Sequence, residues 1–268
     1  MLKDITLGQY FPGNSFVHRL DPRCKLIMVV VYIVALFLAG NLVSYGICLL
    51  FLAASIYVSQ IPLKAITSGM KPLLMILIFT GILNLFFTTE GPTLVSFLGI
   101  TITWGGVERA FFMVLRIMML VCGTFLLTYT TSPIALTDGL ESLLGPLKKI
   151  RVPVHELSMM MCIALRFIPI LIEETDKIMS AQKARGADFE SGSLIDKAKA
   201  LVPILVPLFI SAFRRADELA IAMECRCYQG GEGRTKMKML RFHRGDCIVL
   251  GLGILLVVFT AFLGSFGL

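Results

Sequence analysis

Five stretches of this chain are apolar over lengths that leave them little choice but to cross a lipid bilayer. Residues 25–42, 43–59, 71–88, 107–129 and 246–267 each come close to the roughly 20 residues that a helix needs to span the hydrocarbon core. Inside a bilayer no water is available to the backbone, so each stretch must satisfy its own N–H and C=O groups, which an α-helix does. Composition agrees: 56% of the 268 residues are hydrophobic and 16% charged, with a mean hydropathy of +0.83, far from the balance of a soluble domain. The expected fold is therefore an all-α integral membrane protein with about five transmembrane helices. The first twenty-five residues are mixed and polar and the apolar run behind them is long enough to span, so no cleaved signal segment is expected.

The connections are uneven. Gly40 and Asn41 make a tight reversal between the first two stretches. Residues 89–106 show β-branched alternation after a Gly-Pro pair, which predicts a short extended ribbon. Positive charge sets the orientation. The link between the first two stretches, residues 89–106 and the C-terminal tail hold no Lys or Arg, whereas residues 130–245 hold seventeen of the twenty-five. Lys3, Arg19, Arg23 and Lys25 precede or open the first stretch, and Lys64 and Lys71 follow the second. The positive-inside rule then places the N-terminus and the region 130–245 in the cytoplasm and the C-terminus outside. The chain divides into residues 1–129 (an N-terminal arm with four spans), 130–245 (cytoplasmic or interfacial) and 246–268 (a final span). A net charge of +7 distributed this way reads as membrane topology and not as a nucleic-acid surface.

Region 130–245 contains the apolar runs "MMMCIALRFIPILI" and "LVPILVPLFISAF", too short or too proline-broken to read as spans. As full spans they would also leave Lys177, Lys183, Arg185, Lys197 and Lys199 on the wrong side. Long amphipathic helices along the cytoplasmic interface satisfy both constraints. Their charged ends repeat: "EETDKIMSAQKARGA" (173–187) aligns with "RRADELAIAMECRCY" (214–228), pairing Asp176 with Asp217, Ala181 with Ala222 and Arg185 with Arg226 at one constant offset. Gly186 follows the first arginine at once, and Gly230 and Gly231 follow the second after four and five residues, so each helix is expected to end in its arginine and be stopped by glycine. One such arginine would be an ordinary helix C-terminal cation; two on matched helices read as a plug presented twice. An alanine one turn before each arginine lets the helix end enter a groove while the planar guanidinium reaches for carboxylates or carbonyls.

Other chemistry is poorly represented. The seven cysteines include no CxxC pair, and the three histidines are far apart, so neither a disulfide framework nor a metal site is indicated. No phosphate-binding G-x-x-x-x-G-K-[ST] occurs, so energy, if used, comes from a partner. Glu173 and Glu174 are adjacent and face different ways on a helix, reading as a solvated face and not as an acid–base pair. Arg116 stands inside a span, where a charge costs about 2.5–3.5 kcal/mol on insertion scales, so it should face protein or a polar partner. A secondary transporter or channel with Arg116 lining a pathway is the rival reading; apart from Asp246, which opens the last stretch, the other spans hold no acidic residue, which speaks against it.

The chain resembles the transmembrane T subunit of energy-coupling factor (ECF) transporters, a family related to ABC importers of vitamins and trace metals. Three features carry the resemblance: the N-terminal "GQYFPGNSFVHRLDPRCKL", with His18, Arg19, Leu20, Asp21, Pro22 and Arg23 at its core; the pair of coupling motifs, Ala184-Arg185-Gly186 and Cys225-Arg226-Cys227; and the order of four spans, a cytoplasmic block and a last span. The resemblance covers essentially the whole chain. It implies two cytoplasmic ABC-type ATPases, identical or not, each receiving one arginine, and a small substrate-capturing membrane protein, the S component. ATP and Mg would be used by those ATPases, with no cofactor on this non-catalytic chain, in a bacterial or archaeal cell membrane. The second motif departs from the family pattern by placing cysteines where alanine and glycine are usual, which bears on how that helix ends. For "HRLDPR", a structural role at the membrane surface is the expected one.

Overall fold

The computed structural model describes residues 10–87, 92–97, 100–187, 189, 193–231 and 239–265. Lys3, Gly8 and Gln9, as well as Arg234, Lys236 and Lys238 of the basic region, lie outside the described residues. Among those described, residues 10–139 and 240–265 form one compact unit, and residues 140–231 with Met239 form another.

The first unit holds the expected spans. A short helix α1 (Phe16–Arg19) precedes α2 (Pro22–Leu38), followed by α3 (Leu42–Ser59), α4 (Leu63–Met70), α5 (Leu74–Phe87), the strands β1 (Thr93–Phe97) and β2 (Ile100–Thr103), and α6 (Trp104–Thr130). Helix α7 (Pro133–Leu143) follows, and α10 (Arg244–Ser265) closes the chain. The strands pair antiparallel, as the alternation predicted. The third span begins earlier than expected. The expected stretch begins at residue 71, but a 3-10 turn at Lys71–Leu73 carries the helix through Pro72, so Leu63–Phe87 is one 25-residue helical run. The tighter turn needs no N–H from Pro72. Its N-terminal turn carries Lys64, and Thr67 Oγ1 returns a bond to the Lys64 carbonyl at 3.1 Å.

Buried polar groups at helix ends fix the bundle. Asp21 caps α2 by accepting the Arg23 N–H at 2.9 Å, with Pro22 at the first helical position, where its missing N–H costs nothing. The carboxylate of Asp246, fully buried, accepts the Asp21 N–H at 2.9 Å on Oδ1 and the His243 N–H at 2.7 Å on Oδ2. One side chain thus ties the starts of α2 and α10 together. The two helices run parallel from there: a Cβ on Gly253 would come within 2.5 Å of Met28 Sδ, and one on Gly264 would lie 3.6 Å from the Leu38 carbonyl. Close parallel approach of this kind requires a small residue at the crossing.

Lys25 is 6% exposed, and its ammonium donates to the His18 carbonyl (3.3 Å), the Thr130 carbonyl (3.0 Å) and Thr131 Oγ1 (3.1 Å). A cation with three donors thereby closes the C-terminal ends of α1 and α6. In the middle of α6, beside the C-terminal end of α2, Arg116 solves the problem its position poses. Its Nε donates to the Tyr45 hydroxyl at 2.8 Å and its Nη2 to the Ala39 carbonyl at 3.1 Å, while the rings of Phe37 and Tyr45 lie 5.7 Å from its guanidinium carbon. Ala39 is the C-cap of α2, so the charge sits against the negative end of a helix dipole and two aromatic faces. Between these two sites Tyr32, Leu36, Cys48, Leu52, Met119 and Cys122 pack the core. Cys24, Cys48 and Cys122 are buried free thiols, the small apolar role expected of them.

Candidate functional site: two coupling helices

The second unit is built on α8 (Val154–Ala184) and α9 (Leu194–Glu224), each of 31 residues. The sequence reading judged their apolar runs too short or too proline-broken to span. Each run is instead part of one continuous helix that carries Pro169, or Pro203 and Pro207, in its interior. By length and composition α8 therefore joins α3, the Leu63–Phe87 run, α6 and α10 as a helix able to cross a membrane, while α2 at 17 residues falls just short of that set. Before α8, the Glu141 carboxylate of α7 accepts from Ser158 Oγ and meets His155 Nδ1, both at 3.1 Å. The His155 ring lies against Gly231, where a Cβ would come within 2.6 Å.

The paired prolines explain a contact between the two helices. An interior proline removes one i→i−4 bond. With Pro207 four residues after Pro203, the Pro203 carbonyl has no intrahelical donor. Gln182, in the last turn of α8, supplies one from its side-chain amide at 3.3 Å. A second junction lies two turns earlier on α8. There Ser211 Oγ donates to Glu174 Oε1, and Arg215 Nη2 donates to Glu174 Oε2 at 3.0 Å. Glu174 is thus an interhelical acceptor, correcting its expected place on a solvated face; the side chains of Glu174 and Arg215 are 23% and 39% exposed. Because Gln182 meets residue 203 and Glu174 meets residues 211 and 215, the helices cross antiparallel.

Both helices end alike. At the end of α8, the Ala187 N–H bonds to the Gln182 carbonyl (3.0 Å) and the Gly186 N–H to the Lys183 carbonyl (3.0 Å), with Gly186 at φ +87°. At the end of α9, the Tyr228 N–H bonds to the Met223 carbonyl (3.0 Å) and the Cys227 N–H to the Glu224 carbonyl (2.8 Å), with Cys227 at φ +56°. These are two Schellman closures, residue for residue at the 41-residue offset, with Arg185 and Arg226 in the same C-cap place. The expectation that Gly230 and Gly231 stop the second helix is corrected: Gly230 is left-handed at φ +92° but lies beyond the closure, which turns at Cys227. Ala184, Arg185, Gly186, Cys225, Arg226 and Cys227 are all exposed, as are Ala181 and Ala222. Among the described residues neither guanidinium has a hydrogen-bond partner.

The N-terminal motif lies in the other unit. His18 Nδ1 is 2.6 Å from Ser15 Oγ and its Nε2 is 3.0 Å from the Phe11 carbonyl, Leu20 is buried, and Arg19 is exposed. The Arg23 guanidinium stands over the Phe242 ring at 5.8 Å and 3.9 Å from Asp21. With Asp21 and Pro22 opening α2, these contacts organise helix starts. The residues that sequence reasoning missed are Glu174, Arg215, Gln182 and Asp246. The Pro-x-x-x-Pro spacing signalled that a carbonyl needed an outside donor, and the 41-residue offset placed Glu174 opposite Arg215 in the repeat.

This architecture defines a class: a helical membrane protein that carries, among its long apolar helices, a crossed pair with twin arginine-tipped ends. The chain belongs to the CbiQ family, described as cobalt transport protein, which matches residues 13–237. Curated relatives carry the name energy-coupling factor transporter transmembrane protein EcfT. The protein of Ruminiclostridium cellulolyticum is 52% identical over 260 residues, covering 97% of each chain. That of Clostridium kluyveri is 55% identical over 258 residues, 96% of each, and that of Bacillus subtilis 48% identical over 263 residues, 98% of each.

Proposed function

We propose that this chain is the energy-coupling transmembrane subunit of an ECF-type importer for a vitamin or trace metal, passing ATP-driven movement from two cytoplasmic ATPases to a substrate-capturing S component. The observation that carries this reading is the pair of equivalent helix ends, each presenting an exposed arginine beside an exposed alanine. From Pro203, which Gln182 contacts, to Arg226 is 23 residues of α9, or about 34 Å of helix. The two arginines therefore stand roughly 30 Å apart, too far for one groove and suited to one groove on each of two subunits. In this reading Ala184, Arg185 and Gly186 engage one ATPase and Cys225, Arg226 and Cys227 the other, with the guanidinium forks bonding to carboxylates or carbonyls. His18, Arg19, Leu20, Asp21, Pro22 and Arg23 hold the starts of the first and last spans in register.

Along α9, Leu201, Val202, Leu205, Val206, Phe209 and Ile210 are exposed and form one stripe at helical spacing. This is a surface for the S component and for lipid. On α8, Met160 and Met161 are also exposed and can repack against different S components. The division into 1–129, 130–245 and 246–268 corresponds to anchoring, coupling and anchoring, with the N-terminus in the cytoplasm of a bacterial or archaeal cell membrane. ATP and Mg are used by the partners, and this chain performs no catalysis. The rival secondary transporter loses support because Arg116, its pathway residue, spends donors on Tyr45 and the end of α2.

The test is purification of the tagged chain from membranes of its own host in mild detergent, with mass spectrometry of what accompanies it. P-loop ATPases and small hydrophobic proteins are expected. A stable chain recovered without ATPase across several detergents overturns the reading.

A further inference from the structure

The 41-residue offset that aligns the two arginines also aligns Glu174 with Arg215, and these two residues touch. Their contact is the 3.0 Å bond from Arg215 Nη2 to Glu174 Oε2, reinforced by the Ser211 hydroxyl on Oε1. When two copies of a unit are related by a twofold axis, only a residue on the axis meets its own counterpart. The antiparallel crossing of α8 and α9 and their identical Schellman ends meet the other requirements of that symmetry. Arg185 and Arg226 each lie 11 residues beyond the axis residue of their own helix, about 16 Å along it. The two helices are thus equal arms leaving one charged junction in opposite directions.

We infer that Glu174 and Arg215 form the pivot of a pseudo-twofold lever, about which α8 and α9 turn when the two ATPases close. This rests on the proposed function, which supplies the closing partners. The junction suits a pivot because it joins a carboxylate to two donors in a partly buried crossing, and such charge-assisted bonds outlast single neutral ones. A further polar tie, from Gln182 to the Pro203 carbonyl, lies two turns away at the exposed end of α8. It is a single neutral bond that can open as the arm swings. A turn of about 10° about the junction moves each arginine by about 3 Å, given arms of about 16 Å, and the apolar stripe of α9 turns with it. Glu174 and Arg215 touch neither ATP nor cargo and act as positioning residues.

The experiment uses the purified complex of the full chain with its ATPases. Spin labels are placed at positions 181 and 209, exposed residues on neighbouring arms of the crossing, seven and six residues from the axis residues, or at positions 173 and 214, one residue from the pivot; exposed cysteines are replaced by serine. Distances are read with and without ATP and Mg. The lever predicts that the 181–209 distance shifts by about 3 Å for opposed turns of about 10° on arms of about 10 Å, while the 173–214 distance stays fixed. Glu174→Gln should broaden the 173–214 distance in the ATP state, and the exchanged pair Glu174→Arg with Arg215→Glu should narrow it again; a merely structural junction would change the yield of complex and leave the ATP response alone. Equal shifts at both label pairs, no shift at either, or an undisturbed 173–214 distance in Glu174→Gln would overturn the pivot. Failure of the unmutated chain to bring ATPases with it would instead overturn the proposed function.

Discussion

Replacing Cys227 with glycine should tighten the end of α9, although it removes a side chain at the motif the partner is proposed to grip. Cys227 sits at φ +56°, where an L-residue pays roughly 1–2 kcal/mol in Cβ crowding. Its side chain is exposed, so little packing is lost with it. Glycine occupies that region freely but gives back about 0.5–1 kcal/mol through the larger entropy of the unfolded chain. The net stabilisation of the helix end is about 0.5–1 kcal/mol, equivalent to roughly two- to fivefold slower opening. Amide hydrogen exchange at Cys227 and Tyr228, whose N–H groups close the Schellman turn, reads this directly in the detergent-solubilised chain. Gly230→Ala is the control: it strains a left-handed residue beyond the closure and should leave those amides unchanged. Unaltered or faster exchange in Cys227→Gly, with faster exchange in Gly230→Ala, would show that the helix ends at the glycines and refute the reasoning.

Asp246→Asn keeps the size of a fully buried side chain but can accept only one of the two backbone N–H groups now bound; loss of about 2–3 kcal/mol should appear as a lower midpoint of thermal unfolding in detergent. Gln182→Leu should destabilise the α8–α9 pair by about 1 kcal/mol by orphaning the Pro203 carbonyl, and adding Pro207→Ala, which restores an intrahelical N–H, should recover it when both chains are compared by hydrogen exchange in α9. Arg116→Lys keeps the charge but not the fork that reaches both Tyr45 and Ala39; it should lower thermal stability by about 1–2 kcal/mol while leaving ATPase copurification intact.

The hydropathy pattern located four of the five helices long and apolar enough to cross among the described residues, because apolar length is what the bilayer selects, and it passed over α8. It misplaced the start of the third because a 3-10 turn lets the helix run through Pro72. The internal prolines misled in the same way: Pro203 and Pro207 read as a break, yet α9 is continuous, and Gln182 donates to the Pro203 carbonyl that Pro207 leaves without its i+4 donor. Arg185 and Arg226 were legible as a pair because the repeat places them, whereas the identity of the stopping residue was not. Cysteine carries no turn signal, and the nearest glycines drew the eye past Cys227. Buried junctions such as Asp246 with Asp21 join residues 225 positions apart, and no local spacing announces such a contact. The 41-residue offset did contain the Glu174–Arg215 junction, but two neighbouring glutamates on a charged helix read as surface until the crossing is seen.

The central claim is that the two arginine-tipped helix ends hold the ATPases, and it is tested most directly by purifying the tagged chain carrying Arg185→Glu and Arg226→Glu together and measuring the ATPase subunits retained per chain. The account predicts that the unaltered chain retains two and that the double variant, still inserted and monodisperse in detergent, retains none. A double variant that keeps its full complement of ATPase would contradict it.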